Sequence, residues 1–119
     1  SKRFAVETHD GTYIGNSMYY DIDTIKEQAE MGIMIGNKSY WDQGYGTDTV
    51  NTLIRHIFTT TTLKRIYLHT LIWNVRAQNS FEKSGFVKLR QVKRSGYDFI
   101  LMELLKDRWS TLGENPGLT

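Results

Sequence analysis

The sequence predicts an α+β domain, and three observations carry that expectation. Val50, Leu53, Ile54, Ile57 and Phe58 recur at helical spacing and give one strong amphipathic helix. Ala29, Met31, Ile33 and Ile35 alternate with Glu30, Gly32 and Met34, which is the period of a strand. The dipeptides Asp10-Gly11 and Ser95-Gly96 each separate β-rich runs, so a hairpin is expected near either end of the chain.

The elements follow in order. Phe4 and Val6 alternate with charged neighbours and read as a first strand; Asp10-Gly11 signals a type I′ turn, and Tyr13 to Ile22 is the returning strand. A polar connection, Asp23 to Gln28, leads into the strand Ala29–Ile35, which puts Glu30 on its less apolar face. The chain turns several times between Gly36 and Gly46. Thr47 is the expected N-cap of the long helix, with Asp48 in its first turn near the positive end of the dipole. Arg65 to Trp73 is apolar on both faces, as central strands are. Asn74 is a second N-cap, opening a short helix through Ser84, and Gly85 followed by Phe86 is its stop. Phe86–Arg94 and Tyr97–Leu105 close the pattern as a hairpin. Residues 1–109 are expected to form the domain and residues 110–119, polar and Gly-containing, a flexible tail.

Composition narrows the function classes. At 119 residues there is room for one ordinary core, and 39% apolar residues argue against intrinsic disorder. The chain has no cysteine, which removes disulfides, zinc ribbons and thiol nucleophiles; a cytoplasmic setting is expected. No apolar run is long enough to span a membrane. The net charge of +2 is too small to suggest a nucleic-acid partner, yet it is unevenly placed. Residues 1–50 carry four Lys/Arg against eight Asp/Glu, and residues 51–119 carry eleven against five. The second part suits an anionic ligand and the first a cationic one.

Tyr40-Trp41-Asp42-Gln43-Gly44-Tyr45-Gly46-Thr47 sits between a strand and the start of the strongest helix. Glycines there let backbone N–H groups approach a ligand, and the helix end adds orphan donors and a positive dipole. The anion is not held by a Walker loop, since no Lys follows Gly46, nor by a dinucleotide fingerprint, since the third glycine position is Thr49. A tight strand-to-helix turn explains the same glycines.

A second constellation runs Asn74-Val75-Arg76-Ala77-Gln78-Asn79-Ser80-Phe81-Glu82-Lys83-Ser84-Gly85-Phe86. With the strand around Glu30, the Gly44–Gly46 loop and the closing Tyr97–Met102 strand, it makes the sequence similar to the GNAT superfamily of acyl-coenzyme A N-acyltransferases. The likeness is to the branch of ribosomal-protein N-terminal and spermidine acetyltransferases and spans residues 3–109. It implies a mixed, mostly antiparallel sheet with helices on its faces. It also implies acetyl-CoA as co-substrate, with the pantetheine arm along Ile33, Met34 and Ile35. The pyrophosphate would rest on Gln43, Gly44, Tyr45, Gly46 and Thr47, with Asn74, Phe81 and Lys83 completing the cofactor site. Asn74 would face the pantetheine or a water, and Arg76 and Lys83 would add positive charge. Glu30, acting directly or through a water, is the candidate base; an exposed strand Glu is the bland alternative. Phe81 stands where the family commonly has a tyrosine proposed to protonate the departing thiolate. Family members begin with a strand and two helices ahead of the first strand found here, so the chain is expected to be N-terminally incomplete and to pair as a homodimer through its first-strand edge or the uncovered sheet face.

The remaining candidates read more plainly. His69, beside Tyr67 and Leu71, is expected to be a hydrogen-bonded core histidine; His56 and His9 lack ligand spacing, so no metal site is expected. Asp21, Asp23, Glu27 and Glu30 form an acidic stretch suited to a cationic amine, or a solvated loop. The function expected is acetyl transfer to a primary amine: a protein N-terminus, a polyamine or another small molecule. The alternative is a non-catalytic CoA-binding or interaction module.

Overall fold

Lys2–Glu7 (β1), Tyr13–Asp23 (β2) and Gln28–Ile35 (β3) form an antiparallel meander, followed by a 3₁₀ turn at Lys38–Tyr40 and the helix Tyr45–Thr60 (α1). Arg65–Leu71 (β4), the helix Val75–Lys83 (α2), Val87–Arg94 (β5), Tyr97–Leu105 (β6) and the helix Lys106–Glu114 (α3) complete the chain. This computed structural model describes residues 1–36, 38–40 and 44–114. The six strands make one sheet in the order β1-β2-β3-β4-β6-β5, antiparallel except where β3 runs parallel to β4. The expected mixed, mostly antiparallel sheet is therefore present.

One apolar core holds the layers together. Val50, Leu53, Ile54, Ile57 and Phe58 of α1 bury against Ala29 and Met31 of β3, Ile66 and Leu68 of β4, and Met102 and Leu104 of β6. These are the positions that helical and strand periodicity assign to single faces. Phe81 of α2 and Phe86 join the same cluster, with Trp109 of α3 packed at its margin. The alternate residues of β3 and β4, among them Glu30, Tyr67 and His69, project from the other face of the sheet.

Three local features differ from the sequence expectations. The β1–β2 connection is five residues long rather than a two-residue turn. The Asp10 carboxylate accepts hydrogen bonds from the hydroxyls of Thr8 and Thr12, which organises a wider loop and holds its pKa below the usual value. The N-cap of α1 is Gly44, not Thr47. Gly44 has φ 86°, where a side chain is strained, and its carbonyl accepts the Asp48 N–H at 2.9 Å. Residues 110–114, expected in a flexible tail, are helical. Trp109 packs on Phe58 with ring centroids 5.3 Å apart, and Arg108 Nε donates to the Gly85 carbonyl at 2.7 Å, so two contacts dock α3 on the core. By contrast, Ser95-Gly96 forms the expected two-residue turn, with φ of 51° and 82°.

Candidate functional site

The sheet opens in the middle. The β3–β4 ladder holds only Gln28–Arg65, Ala29–Ile66 and Glu30–Tyr67, and stops there although both strands run on for several residues. Beyond Glu30, β3 stays laddered to β2 alone: Met31 to Ile35 pair with Tyr19 to Gly15. A close approach fixes this stretch, because a Cβ on Gly15 would lie 1.9 Å from the Met34 carbonyl oxygen. The side of β3 that turns away from β2 thus borders a gap.

A cleft of about 800 Å³ occupies that gap. Ile33, Met34 and Ile35 form one wall, Gly44, Gly46, Thr47 and Val50 the start of α1, and Asn74, Arg76, Ala77, Ser80, Phe81 and Lys83 the α2 side. The first helical bond of α1 is Asp48 N–H to Gly44, so the N–H groups of Tyr45, Gly46 and Thr47 have no acceptor within the helix. They make the anion-favouring end of the dipole. Basic Arg76 and Lys83 lie on the same cleft. The two helices are tied across it by the Thr47 and Ser80 hydroxyls, 3.0 Å apart.

The sequence-predicted cofactor residues fall into three groups. Ile33, Met34, Ile35, Gly44, Gly46, Thr47, Asn74, Phe81 and Lys83 line this cleft together. Tyr45 does not: its ring packs edge-on against Tyr40, centroids 5.4 Å apart, and the residue lines a second groove between β1 and α1. Gln43, with Trp41 and Asp42, lies outside the described residues. Asn74 has a structural duty as well, since its side-chain oxygen accepts the Ala77 N–H at 3.2 Å and caps α2. The buried Gln78 escaped the sequence reading. Its amide donates to the carbonyls of Leu71 and Ile72 at 3.1 and 3.0 Å, fixing α2 to the end of β4. A polar residue on the inner side of a short helix is the signal that could have found it.

Glu30 is neither in the cleft nor exposed. It is 4% exposed, at the last rung of the β3–β4 ladder and on the sheet face opposite the core. Its Oε2 lies 2.7 Å from His69 Nδ1 and 3.6 Å from Arg94 Nη1, and the Tyr20 hydroxyl also hydrogen-bonds it. The solvated-Glu alternative is overturned: neighbours on β2, β4 and β5 enclose the carboxylate. Burial, reinforced by the Glu30 charge and hydrogen bond, pushes the Tyr20 phenol up to about 12; burial and then Glu30 also raise Tyr67. The acidic stretch divides by role. Asp23 accepts the Ile25 and Lys26 N–H groups at 3.0 Å, and Glu27 pairs with Lys64 at 3.9 Å, which leaves Asp21 and Glu30 facing the tyrosines.

Comparison with known proteins gives the site a family. The sequence profile of the GNAT acetyltransferase domain matches residues 1–87. A spermidine N(1)-acetyltransferase of Vibrio cholerae is 31% identical over 87 residues, which is 73% of this chain and 50% of that protein. The chain therefore spans about half the length of this curated relative. Among solved structures, spermidine N-acetyltransferase SpeG from Vibrio cholerae in complex with CoA and spermine has a TM-score of 0.81 at 26% identity. The match covers 91% of this chain and 67% of that one. A point mutant of the same enzyme gives 0.80 at 27%, covering 90% and 66%.

Proposed function

Because this chain belongs to the GNAT acetyltransferase family, we propose that it binds acetyl-CoA in the β3–α1–α2 cleft and transfers the acetyl group to a primary amine. The observation that carries the reading is the parted β3–β4 ladder. It gives an extended strand edge at Ile33–Ile35 leading directly to three N–H groups at the start of α1. A long thioester with a pyrophosphate near its far end suits both features: its amide-bearing arm lies along β3 as an added strand, and its phosphates meet the helix end, Arg76 and Lys83.

Acetyl-CoA supplies the activated acetyl group. This chain's residues orient it and handle the amine's protons. Backbone N–H groups at the parted edge of β3 hold the thioester carbonyl and stabilise the charge that develops on its oxygen. The amine approaches from the sheet face bearing Glu30, attacks as the free base, and loses its proton to the polar cluster there. The departing thiol has an ordinary pKa near 8.5, so its anion leaves near neutral pH without an acid at Phe81. A polyamine is the acceptor class that best suits the site. Asp21 and Glu30 place negative charge beside Tyr20 and Tyr67, which Arg65 and Arg94 partly offset, and the similar Vibrio cholerae enzyme is a spermidine acetyltransferase.

Phe81 favours a second reading, a CoA-binding module without turnover, because it offers no proton where the family commonly has a phenol. Assay of the purified protein against spermidine, spermine, a small monoamine and a peptide with a free N-terminus separates the two. Acetyl-CoA-dependent acetylation of the polyamines is the expected result. Tight CoA binding with no product from any amine would select the module instead.

A further inference from the structure

Glu30 is crowded with donors. Its carboxylate contacts His69 Nδ1 at 2.7 Å, takes the Tyr20 hydroxyl and has the Arg94 guanidinium 3.6 Å away. At 5% side-chain exposure, behind these donors, the carboxylate is shielded from direct contact with an incoming amine. His69 is placed differently. Arg94 Nη1 also lies 2.9 Å from Nδ1, but an arginine only donates, and Nδ1 cannot both give a proton to Glu30 and accept one from Arg94. The charge-assisted bond to the carboxylate is the stronger alternative, and an unprotonated Nδ1 would set two lone pairs against each other at 2.7 Å. In the neutral ring Nδ1 therefore carries the hydrogen, and Nε2 has a bare lone pair with no hydrogen-bond partner among the described residues.

The imidazole is also held in place. Its ring meets Tyr67 and Phe99 edge-on, at 86° and 84°, and its side chain is 14% exposed. His69 lies two residues beyond Tyr67, just past the point where β3 and β4 part, on the same face as Glu30. In the acetyl-transfer reading, that is the face from which the amine comes to the parted strands.

We propose that His69 Nε2 is the atom that takes the amine's proton, and that Glu30 is the positioning residue that fixes its tautomer and supports the imidazolium. The inference rests on the acetyl-transfer reading. An ammonium acceptor loses two protons in becoming an amide. One passes through Nε2 to solvent; as the new C–N bond forms and the C–S bond breaks, the other leaves with the thiolate as the thiol. The pair has the logic of a carboxylate–histidine base, with the buried acid behind and the imidazole in front. The charged and titratable groups on this side of the sheet are Glu30 on β3, Tyr20 and Asp21 on β2, Tyr67 and Arg65 on β4, Arg94 on β5 and Glu103 on β6, the last paired with Arg65.

The test compares the parent protein, His69→Gln and Glu30→Gln in acetyl-CoA-dependent acetylation of spermidine from pH 6 to pH 10. Calorimetric CoA binding serves as the control for folding and for the cleft. Nitrogen-resolved NMR of the parent ring reads the tautomer without turnover. His69→Gln should lower kcat by about 100-fold or more, abolish the ascending limb of the pH profile and leave CoA affinity within twofold. Glu30→Gln keeps an acceptor for Nδ1–H, so it should cost about tenfold and keep the limb. The parent should show its neutral ring protonated on Nδ1. A His69→Gln protein within threefold of the parent, a limb lost only in Glu30→Gln, or a neutral ring protonated on Nε2 would each overturn the assignment alone. A parent that binds CoA and acetylates nothing would overturn the transferase reading, and this one with it.

Discussion

Tyr20 shows how far one buried carboxylate governs the side chains around it. Its phenol is pushed from 10.0 to about 12, first by burial and then by Glu30, so the folded chain holds this proton to a higher pH than the unfolded chain does. The stability this contributes is complete below about pH 10 and is lost as pH rises through about 12. Tyr20→Phe should therefore flatten the alkaline decline, while costing about 1–2 kcal/mol at pH 8 through the hydrogen bond lost to Glu30. Urea midpoints of both proteins at pH 8 and pH 11 check this; equal losses between the two pH values would refute the coupling. Glu30 was legible in the sequence as a chemically interesting residue, but its environment was not. Strand alternation places it on a face, whereas His69, 39 positions later, and Arg94 on a distant hairpin reach it only through tertiary pairing.

At the scale of elements, the edge strand β1 has a consequence for assembly. Among the described residues its backbone pairs with β2 on one side only, and Phe4 is 38% exposed beside His56 and Tyr19. An unpaired strand edge flanked by an aromatic ring favours strand-to-strand association, so we predict a two-fold dimer of this chain through β1. Sedimentation at high micromolar concentration should give twice the 13.9 kDa chain mass, and Phe4→Lys should shift it toward monomer. A monomeric parent would contradict the prediction. The strands and both central helices follow from periodicity and turn dipeptides, because each is a local pattern read over a few residues. Two elements did not follow so simply. The cap of α1 moved to Gly44 because the left-handed conformation that glycine permits outweighed the hydroxyl of Thr47. The helix α3 was missed because its polar composition hides that Trp109 and Arg108 dock it.

The molecule as a whole turns on one topological feature that no local pattern contains: β3 and β4 run parallel for three rungs and then part. Residues read separately as a strand, a glycine loop and a second helix become the walls of one cleft only through that parting. The charge division follows this geometry only in part: the basic second part supplies Arg76 and Lys83 to the cleft, but the other face mixes Glu30 and Asp21 of the acidic first part with Arg65 and Arg94 of the second. The measurement that tests this account most directly is calorimetric binding of CoA to the parent and to Gly46→Val. Among the described residues a Cβ at position 46 meets only the Ser80 hydroxyl, at 4.0 Å, so the variant should fold with its new side chain standing in the cleft at the start of α1. The parent should bind CoA, and the variant should bind it more than tenfold more weakly, over about 1.4 kcal/mol; equal affinity in the two proteins would contradict a CoA site at the start of α1.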